Sequence, residues 1–139
     1  CNLDNTFAAV VSVTGSMTND TYDDCSPSHP TAAMQIHGVQ DNTVPYLGSG
    51  WSKSINNVMG YWVAYNSCND QPERLIKYSN QMGLINFDTY GNCLNEVNVK
   101  LILHPDMGHN WPYIENYNID ASQEIWDFVS QYNLYGLIN

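Results

Sequence analysis

Residues 97–112 read VNVKLILHPDMGHNWP, and the predicted fold is built around them. Its first seven residues are mostly valine, leucine and isoleucine, which predicts a buried strand over 97–103. Pro105 ends that strand, and Gly108 frees the backbone just before His109. A histidine in a loop that directly follows a buried strand is well placed to face a cleft. We therefore interpret the rest of the chain as support for His109 or as its partners.

Short apolar runs and one helical repeat lie on either side of this stretch. The runs FAAVVSV and AAMQI are continuous, as in strands of a parallel sheet. Apolar residues at 55, 58, 59, 62 and 63 have the spacing of an amphipathic helix, with Ser52 or Ser54 as its cap. Asp120 and Gln123 form a capping-box pattern before a closing helix. The predicted elements are strands over 7–13, 32–36, 74–79, 84–90 and 97–103, helices over 54–66 and from 120 onward, and a loop over 16–31.

The order of these elements predicts an α/β fold, with mostly parallel strands, flanking helices and a single domain over 1–139. In such sheets, functional groups lie beyond the carboxyl ends of the strands. Asp41 follows the second buried strand and His109 follows the third, so both are expected at the same edge of the sheet. The tail 134–139 has no predicted role.

The composition limits the partners of the chain. The net charge of −10 argues against nucleic acid and against anionic membrane surfaces, because only four cations are present. No stretch is long and apolar enough to be predicted as a membrane span. A neutral polymer or a small ester is compatible with this charge.

The four cysteines stand at positions 1, 25, 68 and 93, and none forms a C-x-x-C pair. Zinc is therefore disfavoured, and two disulfides formed in an oxidising compartment are favoured over four free thiols. Four cysteines allow three pairings. We favour Cys68 with Cys93 and Cys1 with Cys25, because each pair flanks one unit of the chain.

An aspartate and a histidine at neighbouring strand ends suit nucleophilic hydrolysis. The histidine accepts a proton from a serine hydroxyl, and the aspartate orients the imidazole. In α/β-hydrolases the serine stands first, in a G-x-S-x-G elbow. The sequence contains no such elbow, because Gly15-Ser16 and Gly48-Ser49-Gly50 lack its spacing.

Several of these residues also have other interpretations. Asp41 could be a simple turn residue, and His37 is expected to be structural. A metal site at His104, Asp106 and His109 is disfavoured, because proline and glycine interrupt it. Trp111 follows the base and is a candidate for substrate binding, as is Tyr46, with core packing as the alternative for both.

Several segments resemble a known family. Residues 36–46 (IHGVQDNTVPY) resemble the "HGxxDxxVPY" segment of the polyhydroxybutyrate depolymerase and feruloyl esterase-like branch of the α/β-hydrolases, and 108–112 (GHNWP) is similar to its "GHxWP". Residues 65–68 resemble the "NGC" helix end of this family. Residues 7–16 resemble the strand after its nucleophile helix, and residues 125–128 resemble its closing helix. The similarity extends from residue 1 to about 133, in the order of the family.

The resemblance implies that Asp41 is the acid and His109 the base of a Ser-His-Asp triad, with no metal or organic cofactor. It implies the C-terminal half of an α/β-hydrolase sheet, whose serine half is missing, and it supports the bridge between Cys68 and Cys93. We expect a carboxylic-ester hydrolase, secreted or periplasmic, that acts on short polyhydroxyalkanoates, feruloylated or acetylated polysaccharides, or small esters. The exposed sheet edge would pair with a second copy or with the missing N-terminal half. The alternative is an inactive fragment or a non-catalytic binding module on the same scaffold.

Overall fold

The computed structural model describes residues 1, 3, 5–81 and 83–138. Within them lie a five-stranded sheet, a two-stranded sheet and four α-helices. In chain order the elements are β1 (Ala9–Val13), α1 (Asn19–Asp24), β2 (Ala32–Gly38), α2 (Ile55–Tyr65), β3 (Glu73–Tyr78), β4 (Leu84–Tyr90), a 3₁₀ turn (Leu94–Glu96), β5 (Val99–His104), α3 (Ile114–Tyr117), α4 (Ala121–Val129), β6 (Tyr132–Asn133) and β7 (Gly136–Leu137).

The sheet is mixed, and the prediction of a mostly parallel half of an α/β-hydrolase sheet is wrong. Its strand order is β1-β2-β5-β4-β3. The β1–β2 and β2–β5 pairs are parallel, whereas β5–β4 and β4–β3 are antiparallel. The physical reason is the short length of the links between these strands. Residues 79–83 join β3 to β4 and residues 91–98 join β4 to β5, and links this short do not allow the crossover that parallel neighbours need.

Two apolar layers cover the sheet. On one face α2 buries Ile55, Val58, Met59 and Trp62, as its helical spacing predicted. On the other face α4 packs against β2 and β1, and its Phe128 belongs to the buried cluster there. Both helices contact β2, which is buried along its whole length.

The helix caps lie at or close to the positions that the sequence predicts. The side chain of Ser54, rather than that of Ser52, accepts the N–H of Asn57 at the start of α2. Asp120 accepts the N–H of Gln123 at the start of α4, as predicted. The side chain of Gln123 instead donates to Asp127, so the capping box is not reciprocal. The predicted loop over 16–31 contains α1, whose six residues are all at least partly exposed.

Two disulfides join Cys1 to Cys25 and Cys68 to Cys93, which is the favoured pairing. The second bridge ties the end of α2 to the turn after β4. Backbone hydrogen bonds from Leu94 to Asn66 and from Asn69 to Gly91 flank it. Two disulfides fit an oxidising compartment. In the part of the chain described here, each helix is too short or too polar to cross a bilayer.

Candidate active site

Asp41 is held by the turn that follows β2. Its backbone N–H donates to the carbonyl of Gly38 at 3.3 Å. Its Oδ1 accepts the N–H groups of Thr43 (2.9 Å) and Val44 (2.8 Å). The carboxylate is fully buried. The turn therefore fixes one oxygen and leaves the other, Oδ2, to bind a different partner.

That partner is His109, in the loop after β5. Its Nδ1 lies 3.0 Å from Oδ2 of Asp41, and 43% of its side chain is exposed. A carboxylate can only accept, so Nδ1 carries the proton and donates it. The lone pair is then on Nε2, the nitrogen that a general base uses. The structure thus brings together Asp41 and His109, the residues that the sequence predicted as acid and base.

The surroundings of Asp41 favour its charged form. Burial alone raises the pKa of the carboxyl. Hydrogen bonds from the Val44 N–H, from His109 and from the Thr43 N–H outweigh burial and hold the pKa below its ordinary value of 3.8. Asp41 is therefore a buried anion at neutral pH, as an orienting carboxylate must be.

The two loops that carry this Asp41–His109 dyad are joined by their backbones. The N–H of Val39 donates to the carbonyl of His104 at 2.9 Å, and the N–H of Gln40 donates to that of Met107 at 3.1 Å. These bonds continue the β2–β5 pairing past the ends of both strands. A side chain at Gly38 would collide with Met107, since an added Cβ would lie 1.9 Å from its carbonyl oxygen.

His37 lies behind the dyad and is structural, as expected. The amide of Gln35 donates to Nδ1 at 3.1 Å, so Nε2 carries the proton and donates to the carbonyl of Val44 at 3.0 Å. Burial lowers the pKa of His37, although the Val44 carbonyl and Asp41 act in the opposite sense. A neutral His37 therefore supports the turn that positions Asp41. Sequence reasoning did not single out Gln35, which also donates to the carbonyl of Gly15.

His104 and Asp106 do not form a metal site with His109. The Nε2 of His104 bonds the carbonyl of Tyr117 at 3.1 Å, and its Nδ1 accepts the N–H of Asp106 at 3.0 Å. Asp106 accepts the hydroxyl of Ser79 at 2.6 Å. These bonds tie the loop after β5 to α3 and to the β3–β4 turn. The described residues contain no cluster of three or more histidine, cysteine or acidic side chains placed to hold a metal.

The predicted substrate-binding residues occupy different surroundings. Tyr46 is half-buried against α2, where its hydroxyl donates to Asn56 at 2.9 Å. Trp111 lies exposed, two residues past His109. The serines of the two incomplete elbow sequences serve local structure, because Ser16 donates to the carbonyl of Lys53 and Ser49 bonds Ser52.

An apolar cavity of about 220 Å³ lies elsewhere, between β1 and α2. Val10, Met34, Met59 and Trp62 are among its lining residues, and neither dyad residue is. This cavity is not part of the candidate active site, because Asp41 and His109 lie at the ends of β2 and β5.

Comparison with known proteins does not place this chain in a family. No protein-family model matches it. A search of curated proteins also finds no match. The motifs at 36–46 and 108–112 therefore remain a resemblance.

Proposed function

We propose that this chain supplies the acid, Asp41, and the base, His109, of a serine-type carboxylic-ester hydrolase. The observation that carries the proposal is the 3.0 Å hydrogen bond between His109 Nδ1 and Asp41 Oδ2, with the other carboxylate oxygen held by two backbone N–H groups. The resemblance of both segments to the polyhydroxybutyrate depolymerase and feruloyl esterase-like family supports it. No G-x-S-x-G elbow occurs in residues 1–139, so in this proposal the serine comes from outside them.

The chemistry follows from the dyad. As the serine hydroxyl attacks the ester carbonyl, Nε2 of His109 takes its proton, and Asp41 stabilises the imidazolium. The imidazolium then gives that proton to the departing alcohol, which leaves an acyl-serine. A water molecule attacks the acyl group with the same assistance and releases the carboxylic acid. Asp41 stays ionised throughout, in keeping with its lowered pKa.

The substrate class rests on charge and on the resemblance. A chain with a net charge of −10 suits neutral esters better than anionic polymers. The family resemblance suggests short polyhydroxyalkanoates, feruloylated or acetylated polysaccharides, or small acyl esters. With its two disulfides, such a hydrolase would act in a secreted or periplasmic setting.

Hydrolysis of p-nitrophenyl butyrate tests the proposal on two samples. One is the 139-residue chain, and the other is the same chain produced with the coding sequence that precedes the codon for Cys1. We expect turnover, and labelling by a fluorophosphonate, only in the second sample. His109→Ala and Asp41→Asn should each lower kcat there by about 10³-fold or more.

Two outcomes would overturn the proposal. One is turnover by the 139-residue chain that fluorophosphonate does not inhibit, since that activity would not use a serine. The other is a second sample without turnover or labelling, which would favour a non-catalytic module. Asp106→Asn is the matched control, because this carboxylate lies three residues from His109 but bonds Ser79.

A further inference from the structure

The strand β3 lies at one end of the sheet, with β4 on one side. All six of its residues are exposed, including Leu75 (59%), Ile76 (49%) and Tyr78 (69%). An exposed apolar edge strand carries unpaired backbone groups to which another strand can bind. The strands β4 and β5 separate this edge from β2, so binding at the edge does not depend on the Asp41–His109 dyad.

The charges near β3 differ from those of the rest of the molecule. Three of the four cations lie here, and three carboxylates offset them. Arg74 pairs with Asp88, and Lys77 and Lys100 both pair with Glu124. Glu73 is the third carboxylate, so the region is close to neutral. The rest of the chain carries one cation and eleven carboxylates. Two copies of so acidic a protein therefore meet least repulsion at this edge.

The strand also complements itself in one register. Glu73, Leu75 and Lys77 alternate along β3 and share a face. We propose that a second copy of this chain docks on β3 as an antiparallel strand, with Leu75 opposite Leu75 of the partner subunit. The two-fold axis then places each Glu73 opposite Lys77 of the partner subunit. One register thus gives an apolar contact flanked by two equivalent ion pairs.

Neighbouring registers lack these pairs. If the two-fold axis passed through Arg74, the two copies of this arginine would face each other, which is destabilising. If the axis passed through Ile76, Leu75 would face Lys77 of the partner subunit, and Glu73 would face no cation. Charged side chains on an edge strand usually prevent pairing, but here they select a single register. The other edge strand, β1 (AVVSV), has no charged residue that could do so.

Sedimentation velocity of the 139-residue chain over a range of concentrations tests the proposal. We expect a dimer that Glu73→Lys or Lys77→Glu alone weakens by about tenfold in Kd, because each places like charges in opposition. An equimolar mixture of these two variants should recover wild-type association, since each supplies the charge that the other lacks. The double swap Glu73→Lys with Lys77→Glu should recover it as well.

Lys53→Glu is the control for Lys77→Glu, because it makes the same charge change at a lysine that pairs with Asp23 instead. Leu75→Lys is a second variant. It keeps both ion pairs of Glu124 and places two lysines opposite each other at the two-fold axis. Thermal unfolding checks that every variant is folded. A wild-type monomer at all concentrations would overturn the proposal. Wild-type association of the charge variants or of Leu75→Lys would also overturn it. Dimerisation would then use another surface, such as the β1 edge.

Discussion

Gly38 at the end of β2 faces the carbonyl of Met107 so closely that an added Cβ would lie 1.9 Å from its oxygen. This contact joins the loop that carries Asp41 to the loop that carries His109. Backbone hydrogen bonds on either side, from Val39 to His104 and from Gln40 to Met107, keep the two loops in register. The geometry of the dyad thus depends on a residue that lies outside its hydrogen bond.

Gly38→Ala should therefore destabilise the protein by about 3 kcal/mol, at the upper end of ordinary single substitutions, and should separate Asp41 from His109. Urea unfolding measures the loss. Gly108→Ala is the matched control, because its nearest neighbour would lie 3.4 Å away at an ordinary contact distance. It should change the free energy of unfolding by less than about 1 kcal/mol. Equal effects of the two substitutions would contradict this account of the loops.

Acid should destabilise the protein through His37 and His104. Burial lowers the pKa of both below the ordinary value of 6.5. Below pH 6.5 the unfolded chain therefore binds protons that the folded chain does not, so stability is complete above that pH and is lost as the pH falls. Each histidine contributes a slope of up to about 1.4 kcal/mol per pH unit.

Urea unfolding between pH 7 and pH 5 measures this slope. His104→Gln should reduce it, and Asp41 should add a further loss only at lower pH, because its pKa lies below 3.8. A stability that is constant between pH 7 and pH 5 would show that neither histidine is held neutral.

The bridge between Cys68 and Cys93 should matter for stability. It closes a loop with a sequence separation of 25 between α2 and the turn after β4. Replacing both cysteines by alanine should lower the free energy of unfolding by about 3.5 kcal/mol, as expected for a loop of this length. Chemical denaturation of the double variant under non-reducing conditions checks this. A loss below about 1 kcal/mol would mean that the flanking backbone bonds hold this corner without the bridge.

The sequence predicted the dyad but not the sheet around it, for physical reasons. Asp41 and His109 each follow a buried run by a few residues, so local pattern and strand-end geometry were enough to place them together. The direction of β4 depends on the lengths of the links at 79–83 and 91–98, and these short links could have indicated antiparallel pairing.

The role of Gly38 could not be predicted, because it depends on a contact with Met107, a residue 69 positions later. The sequence instead drew attention to Gly108, whose backbone does not need a glycine. The role of Gln35 could not be predicted either, since its bond to the carbonyl of Gly15 arises only once β1 and β2 are paired.

The tautomer of His109 reports directly on its hydrogen bond with Asp41. Long-range ¹H–¹⁵N correlation spectra at pH 8 distinguish an imidazole protonated on Nδ1 from one protonated on Nε2. We expect a proton on Nδ1 in the wild-type chain and in Asp106→Asn, and loss of that preference in Asp41→Asn. A wild-type His109 protonated on Nε2, or one that Asp41→Asn leaves unchanged, would contradict the pairing of Asp41 with His109.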